Sequence, residues 1–268
     1  MNPRFRHSQR RPGNAAARPS HGRSDAPGDP PLATDSLSLQ VPFSFDASLA
    51  ARLARREVNP KEAFTIRDGQ GAFYRASLKE LGPAGGTAVP YEKMTCSPEP
   101  VVEITLACAV LARQRMIFVM QKATELGVSA VVPLLTSCSV QPAGLEHEKA
   151  HAWPGQIVRA AKQCRRGSLP AVLPPAPLAA FLASSTVSGA DLCLFLDDRS
   201  DAAQVVAASP QRIVLFVGPE GGFTDTERAA LRARAQPWTL GGRVLRAETA
   251  VLTGLTAVQM KWGDFCCI

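Results

Sequence analysis

The sequence predicts an α/β protein, with a doubly wound parallel sheet over residues 101–268 and a smaller β-rich unit over 41–91. Two observations predict the sheet. Apolar runs at 101–111, 130–135, 192–196 and 213–217 are nearly continuous, as in strands covered on both faces. Between them lie stretches with helical spacing, and strands alternating with helices form parallel sheets through crossover connections. A third observation sets the scale: 268 residues, 46% of them hydrophobic, can bury one large core or two modest ones. No window approaches the ~18 apolar residues of a membrane-spanning helix, so no membrane association is expected.

Residues 1–35 hold six Arg, three Asp and six Pro with almost no apolar periodicity. Such a composition cannot offset the entropy of ordering, which predicts a disordered Arg/Pro-rich tail. From 41 to 91 the pattern is α+β. Asp46 can cap a helix running through Arg56, and 63–66 and 72–78 read as a hairpin across Asp68-Gly69-Gln70-Gly71. The Gly- and Pro-rich stretch from Gly82 to Pro100 reads as a loop or linker between domains. Beyond it, Met116, Met120, Ala123 and Leu126 share one helical face that ends at Gly127. Ile157, Ala160, Ala161 and Cys164 form another after Pro154. Thr224 with Glu227 is a capping box opening a helix through about Arg234, and Val251, Leu255, Val258 and Trp262 mark the last helix. Gly254 inside that helix costs about 1 kcal/mol relative to Ala unless close packing needs it.

The net charge is +7, of which the first 35 residues carry +3, so the body is basic in its own right. An anionic partner is favoured, nucleic acid first, although a merely basic enzyme has the same charge. Seven cysteines without a C-x-x-C pair argue against a disulfide framework or zinc ribbon and suit a reducing compartment. The four histidines form no triad or metal pattern, so no metal is expected. No apolar segment near the start resembles a secretory signal, which predicts a cytoplasmic protein. The absence of acids before Asp25 resembles organelle transit peptides and keeps that route open.

Two glycine motifs carry the chemistry. Val217-Gly218-Pro219-Glu220-Gly221-Gly222-Phe223 follows a buried strand and precedes a helix N-terminus, where backbone N–H groups can approach a ligand. It is neither a P-loop nor G-x-G-x-x-G, and Glu220 would repel a pyrophosphate while tolerating a cationic or neutral ligand. The second, Leu240-Gly241-Gly242-Arg243-Val244-Leu245-Arg246-Ala247-Glu248, sets two arginines beside a glycine turn, as suits an anion or a base. Taken alone, a tight turn and a surface charge cluster account better for these residues. Arg159, Lys162, Gln163 and Arg166 recur at helical spacing as a basic stripe, with Arg115 and Lys122 adding charge nearby. These are the candidate RNA contacts, though a solvated helix face has the same pattern.

The phrases VGPEGGFTDTE and LGGRVLRAETAVLTGLTAVQ, with the earlier QKATELGV, closely resemble the 16S ribosomal RNA uridine-N3 methyltransferases, which act on the small subunit and belong to the SPOUT superfamily. The resemblance spans about 101–265, and 41–91 resembles the family's N-terminal PUA-like RNA-binding domain. It implies a trefoil knot in the C-terminal domain, a homodimer, S-adenosylmethionine as cofactor, and ribosomal RNA or the assembled small subunit as partner. Gly218, Pro219, Glu220, Gly221, Gly222, Leu240, Gly241, Val244, Leu245 and Arg246 would then enclose the cofactor. Arg246 and Glu248 would be catalytic, Arg246 stabilising charge on the base and Glu248 orienting that guanidinium or taking the proton, with the two roles exchangeable. Gln163 and Arg166 would face the RNA.

The family usually has Glu where Lys162 stands, Arg where Cys138 stands and a small or polar residue at Arg165. The N-terminal unit has Ser48-Leu49-Ala50-Ala51-Arg52 in place of the usual His-x-x-x-Val-Leu-Arg. Two other readings follow: a SPOUT enzyme acting on a ribose 2′-OH or another base atom, and a non-catalytic RNA-binding homologue. A Rossmann-type methyltransferase is disfavoured, because its glycine loop should follow the first strand of the domain.

Overall fold

The computed structural model describes residues 28–199 and 209–265. Most of the expected tail, 1–27, lies outside the described residues, as do Cys266 and Cys267.

The N-terminal unit starts as the capping signal predicts. Strand β1 (Phe43–Asp46) leads into helix α1 (Ala47–Arg55), and the Asp46 carboxylate accepts the Leu49 N–H at 2.9 Å. Strands β2 (Ala63–Arg67) and β3 (Phe73–Gly82) form the expected hairpin. The linker expected from Gly82 to Pro100 is instead largely a fourth strand, β4 (Gly85–Lys93), which pairs with β1 and β3 in the antiparallel order β1-β4-β3-β2. Its Pro90 is tolerated because the β3–β4 register shifts between Arg75 and Ala76, next to the residue Pro90 faces. The expected tail over 1–35 is shorter at its C-terminal end. Residues 28–35 are ordered: Leu32 is buried with Leu53, Ile66 and Leu78, and Asp29 exchanges backbone hydrogen bonds with Leu169.

The C-terminal part is a parallel sheet. Its elements are β5 (Glu103–Ala109), α2 (Arg113–Glu125), β6 (Ala130–Leu135), α3 (Trp153–Gln163), β7 (Ala171–Val172) and β8 (Ala176–Pro177). They continue with α4 (Leu178–Leu182), α5 (Ser185–Ser188), β9 (Leu192–Leu196), β10 (Arg212–Val217), α6 (Asp225–Arg232), β11 (Gln236–Trp238) and α7 (Ala247–Trp262). The strand order is β11-β9-β10-β5-β6-β7, with β8 also on β6, and every pairing is parallel. Alternation along β10 explains its unbroken apolar run. Ile213, Leu215 and Val217 pack with Met116, Met120, Val251 and Leu255 of α2 and α7, while Val214 and Phe216 pack on the opposite face with Phe181 and Leu231 of α4 and α6. Gly254 of α7 is a packing requirement, since a Cβ there would stand 3.0 Å from Leu196 and 3.2 Å from Leu215. Among the described residues no helix is long and apolar enough to cross a membrane.

The two parts are clasped by charge. Both terminal nitrogens of Arg166 donate: Nη1 to the carbonyls of Thr124 and Val128, Nη2 to Glu99 and Ser168. Glu99 in turn accepts the N–H groups of Gly167 and Ser168 at 2.7 and 2.8 Å. From α1, Arg56 reaches the Gly167 carbonyl and pairs with Asp29. Burial lowers the Arg56 pKa against the opposing pull of Asp29.

Candidate functional site

At the carboxyl ends of β9, β10 and β11 lies a cleft of about 510 Å³, the size of a small-ligand site. In open parallel sheets this edge is where ligands bind, because the connections leaving the strands splay apart there. Both glycine motifs arrive at it. Gly218, Pro219, Glu220, Gly221 and Gly222 line one wall as β10 turns towards α6, and Leu240, Gly241, Val244, Leu245 and Arg246 line the other between β11 and α7.

The local chemistry explains why each turn holds its shape. Gly222 has φ of +71° and Gly241 φ of +120°, left-handed conformations that disfavour a Cβ. Around Gly241 and Gly242 nothing lies within 4 Å of where a Cβ would stand, so that wall is open to a ligand. The first turn is tied down by Glu227, which completes the predicted capping box with Thr224 and also accepts the Ser137 N–H at 2.8 Å. Burial opposes ionisation of this carboxyl, but hydrogen bonds from Ser137 and Thr224 outweigh it and bring its pKa below the ordinary value. Cys138 packs against the same turn: a Cβ on Gly221 would stand 3.0 Å from the Cys138 Cβ.

The predicted catalytic pair is rearranged. Arg246 is the N-cap of α7 and exposed; its carbonyl accepts the Ala250 N–H, but its guanidinium has no hydrogen bond or ion pair to the described residues. Glu248 does not orient it. Its Oε1 instead lies 3.9 Å from Nε of Arg115, while Oε2 is buried with no hydrogen-bond partner among the described residues. Arg115 also pairs with Glu220, which raises the guanidinium pKa further. An arginine assigned to the RNA surface thus sits in the cleft wall, between the carboxylates of both motifs, because α2 begins at Arg113 beside the sheet's carboxyl edge.

The basic stripe fares less well. Helix α3 ends at Gln163 and Arg165 takes φ of +63°, so Arg166 leaves the helical face and is buried in the clasp. Lys162 donates to the Glu57 carbonyl and to Glu62, and Lys122 pairs with Glu125 three residues on. Only Arg159 and Gln163 of the stripe are exposed. A residue pair that spacing arguments missed is Asp197, just after β9, with Arg228 of α6, both buried in the cleft wall. An acid directly after a buried strand was the available signal.

The profile of an RNA methyltransferase domain matches residues 97–259, well over half of the chain. Over 205 residues the chain is 33% identical to ribosomal RNA small subunit methyltransferase E of Synechocystis, covering 74% of this chain and 66% of that protein. The same-named protein of Mesomycoplasma hyopneumoniae is 31% identical over 189 residues, 70% of this chain and 81% of that one. Among solved structures, the methyltransferase E of Neisseria gonorrhoeae bound to S-adenosyl methionine superposes with a TM-score of 0.64 at 30% identity, over 88% of this chain and 99% of that one. With a cleft at the carboxyl edge built from both motifs and relatives that agree along most of its length, this chain belongs to the small-subunit ribosomal RNA methyltransferase E family of SPOUT-class RNA methyltransferases.

Proposed function

We propose that the protein transfers a methyl group from S-adenosylmethionine to N3 of a uridine in small-subunit ribosomal RNA. One observation carries this reading: two glycine turns that leave different strands meet in a single cleft, with the guanidinium of Arg246, exposed and without a side-chain partner among the described residues, at its rim. The cleft suits the cofactor. Leu196, Val217, Trp238 and Leu245 offer apolar surface for a base, and the open face at Gly241 and Gly242 admits close contact. Relatives solved with S-adenosylmethionine support the same choice.

When bound, S-adenosylmethionine supplies an electrophilic methyl group. The chain's part is to hold uracil N3 in line with it and to manage one proton. Positioning of that kind can supply several kcal/mol of the barrier. As the new C–N bond forms, the N3 proton must leave and negative charge develops on the uracil carbonyl oxygens. Arg246, whose guanidinium has no partner among the described residues, can meet that charge, reinforced by the N-terminal end of α7 where it stands. Glu248, in the first turn of α7 with Oε2 unpartnered, is the acceptor for the proton. Its other oxygen lies 3.9 Å from Nε of Arg115. The target base must be unstacked to enter, and the RNA face comprises Arg159 and Gln163 together with the exposed Arg243. The PUA-like character of the N-terminal unit, the knot, the homodimer and a cytoplasmic location belong to this proposal as well.

The deciding experiment incubates the protein and S-adenosylmethionine with small subunits lacking the modification and reads nucleoside masses. N3-methyluridine is expected. A 2′-O-methylated nucleoside would overturn the atom assignment, and binding of both ligands without transfer would overturn catalysis.

A further inference from the structure

Resting on the cofactor reading above, we infer that Asp197 and Arg228 are a positioning pair that sets the distance between the two glycine turns. Asp197 stands where β9 ends, its side chain fully buried, and Arg228 of α6 is almost as enclosed at 7% exposure. Arg228 Nη1 pairs with Asp197 Oδ1 and the half-exposed Arg232 donates to Oδ2 at 3.2 Å, while Nε of Arg228 donates to the Phe223 carbonyl at 3.1 Å, the residue that closes the first turn. Nη2 of the same guanidinium stands 3.5 Å from where a Cβ on Gly222 would be. The backbone of Asp197 reaches the other wall: its N–H donates to the Trp238 carbonyl at 3.1 Å, at the end of β11 where the second turn starts. One residue therefore holds the second turn by its main chain and the first by its side chain through Arg228.

A buried ion pair is a poor device for stability alone, because its desolvation cancels much of its attraction and apolar residues of similar volume do as well. It is a good device for geometry. Arg228 divides its donors between a carboxylate and a carbonyl, and its planar fork fixes the angle between them. Stability and positioning can therefore be separated.

The test uses full-length protein and two variants, the double replacement Asp197→Leu with Arg228→Met and the single Arg228→Lys. Read-outs are thermal melting, calorimetric affinity for S-adenosylmethionine, KM and kcat for the cofactor, and amide hydrogen exchange over 218–223 and 239–246. The double variant is expected to melt within a few degrees of wild type. Its cofactor Kd and KM should rise at least tenfold, kcat should fall far less, and exchange should quicken in both turns together. Arg228→Lys keeps a cation for Asp197 but loses the fork, so it should show the same split with a smaller shift. A folded double variant with wild-type affinity and exchange would reduce the pair to packing and overturn the inference. Should the double variant not fold, Arg228→Lys decides, and unchanged Kd and exchange there overturn it equally. If wild type itself fails to bind S-adenosylmethionine, the proposed function falls, and the exchange rates alone judge the pair.

Discussion

The molecule has two concentrations of opposite charge, and they are finished differently. In the clasp between the N-terminal sheet and the parallel sheet, Arg166, Glu99, Arg56 and Asp29 direct most of their donors and acceptors to one another and to backbone groups, although Nε of Arg166 is buried without a partner among the described residues. In the cleft, the guanidinium of Arg246 has no partner among the described residues, and one oxygen of Glu248 is buried without one. A buried polar group left unpaired costs about 1–3 kcal/mol, and the fold bears that cost outside the cleft too, at Nε of Arg75 and of Arg166. What sets the cleft apart is a whole guanidinium, that of Arg246, left exposed at its wall. Residue type does not separate them, since both are arginine–glutamate clusters. The difference lies in how many donors and acceptors remain open.

The sharpest way to break this contrast is to remove a charge from the finished cluster. Arg166→Ala leaves the largely enclosed Glu99 without this cation, and loss of one partner from a buried pair costs up to about 3–5 kcal/mol. Chemical denaturation should show a loss of that size, with turnover per folded molecule little changed. A stable variant that has lost activity would place Arg166 at the RNA after all. Next in size is Arg246→Ala, the unfinished counterpart. Turnover should fall by about 10²–10³, the loss typical when one donor to a developing oxyanion is removed, with melting temperature and calorimetric cofactor binding retained. Unchanged turnover would sink its catalytic role.

Arg115 is the half-finished case and gives a third, smaller effect. It pairs with Glu220 and faces Glu248, yet its side chain is 42% exposed, so Arg115→Gln should barely move the melting temperature. Turnover should drop by about tenfold through the altered Glu248, a modest share of what general acid–base catalysis contributes. An equal loss in a variant lacking Glu248 already would show that Arg115 acts elsewhere.

How much of this was legible in the sequence depends on the range of the interaction. Strand β9 matches its expected bounds, and the Thr224–Glu227 box and the Asp46 cap are present, because each rests on residues within one or two turns of chain. Both glycine motifs were legible as turns, and their meeting in one cleft followed from resemblance rather than from spacing. Strand β4 was hidden because Gly85, Gly86 and Pro90 read as a loop, and only pairing with two neighbours and a register shift makes them a strand. Arg166 was misplaced because helical periodicity was extended past the true end of α3. Leu32 and Asp29 were lost in a proline-rich stretch whose partners lie up to about 140 residues away in sequence. Long-range closure of this kind leaves no local signature.

The smallest effect refines the contrast with a carboxylate that is satisfied yet reachable by water. Glu227 accepts from Ser137 and Thr224 on both oxygens, and Gln can preserve only one of those sides, so Glu227→Gln should cost about 1 kcal/mol at neutral pH. The pH dependence has a definite sign. Its pKa in the folded chain lies below the ordinary value of about 4.3, so its stabilisation is complete above that value and fades as pH falls through the folded one. The stability gap between wild type and variant should therefore be constant from pH 7 to about pH 5 and close below about pH 4 as the carboxylate takes up its proton. Melting curves of both proteins across that range measure it. A gap that persists undiminished at pH 3 would mean that shape, and not the ionised carboxylate, is what holds α6 to the 136–139 loop.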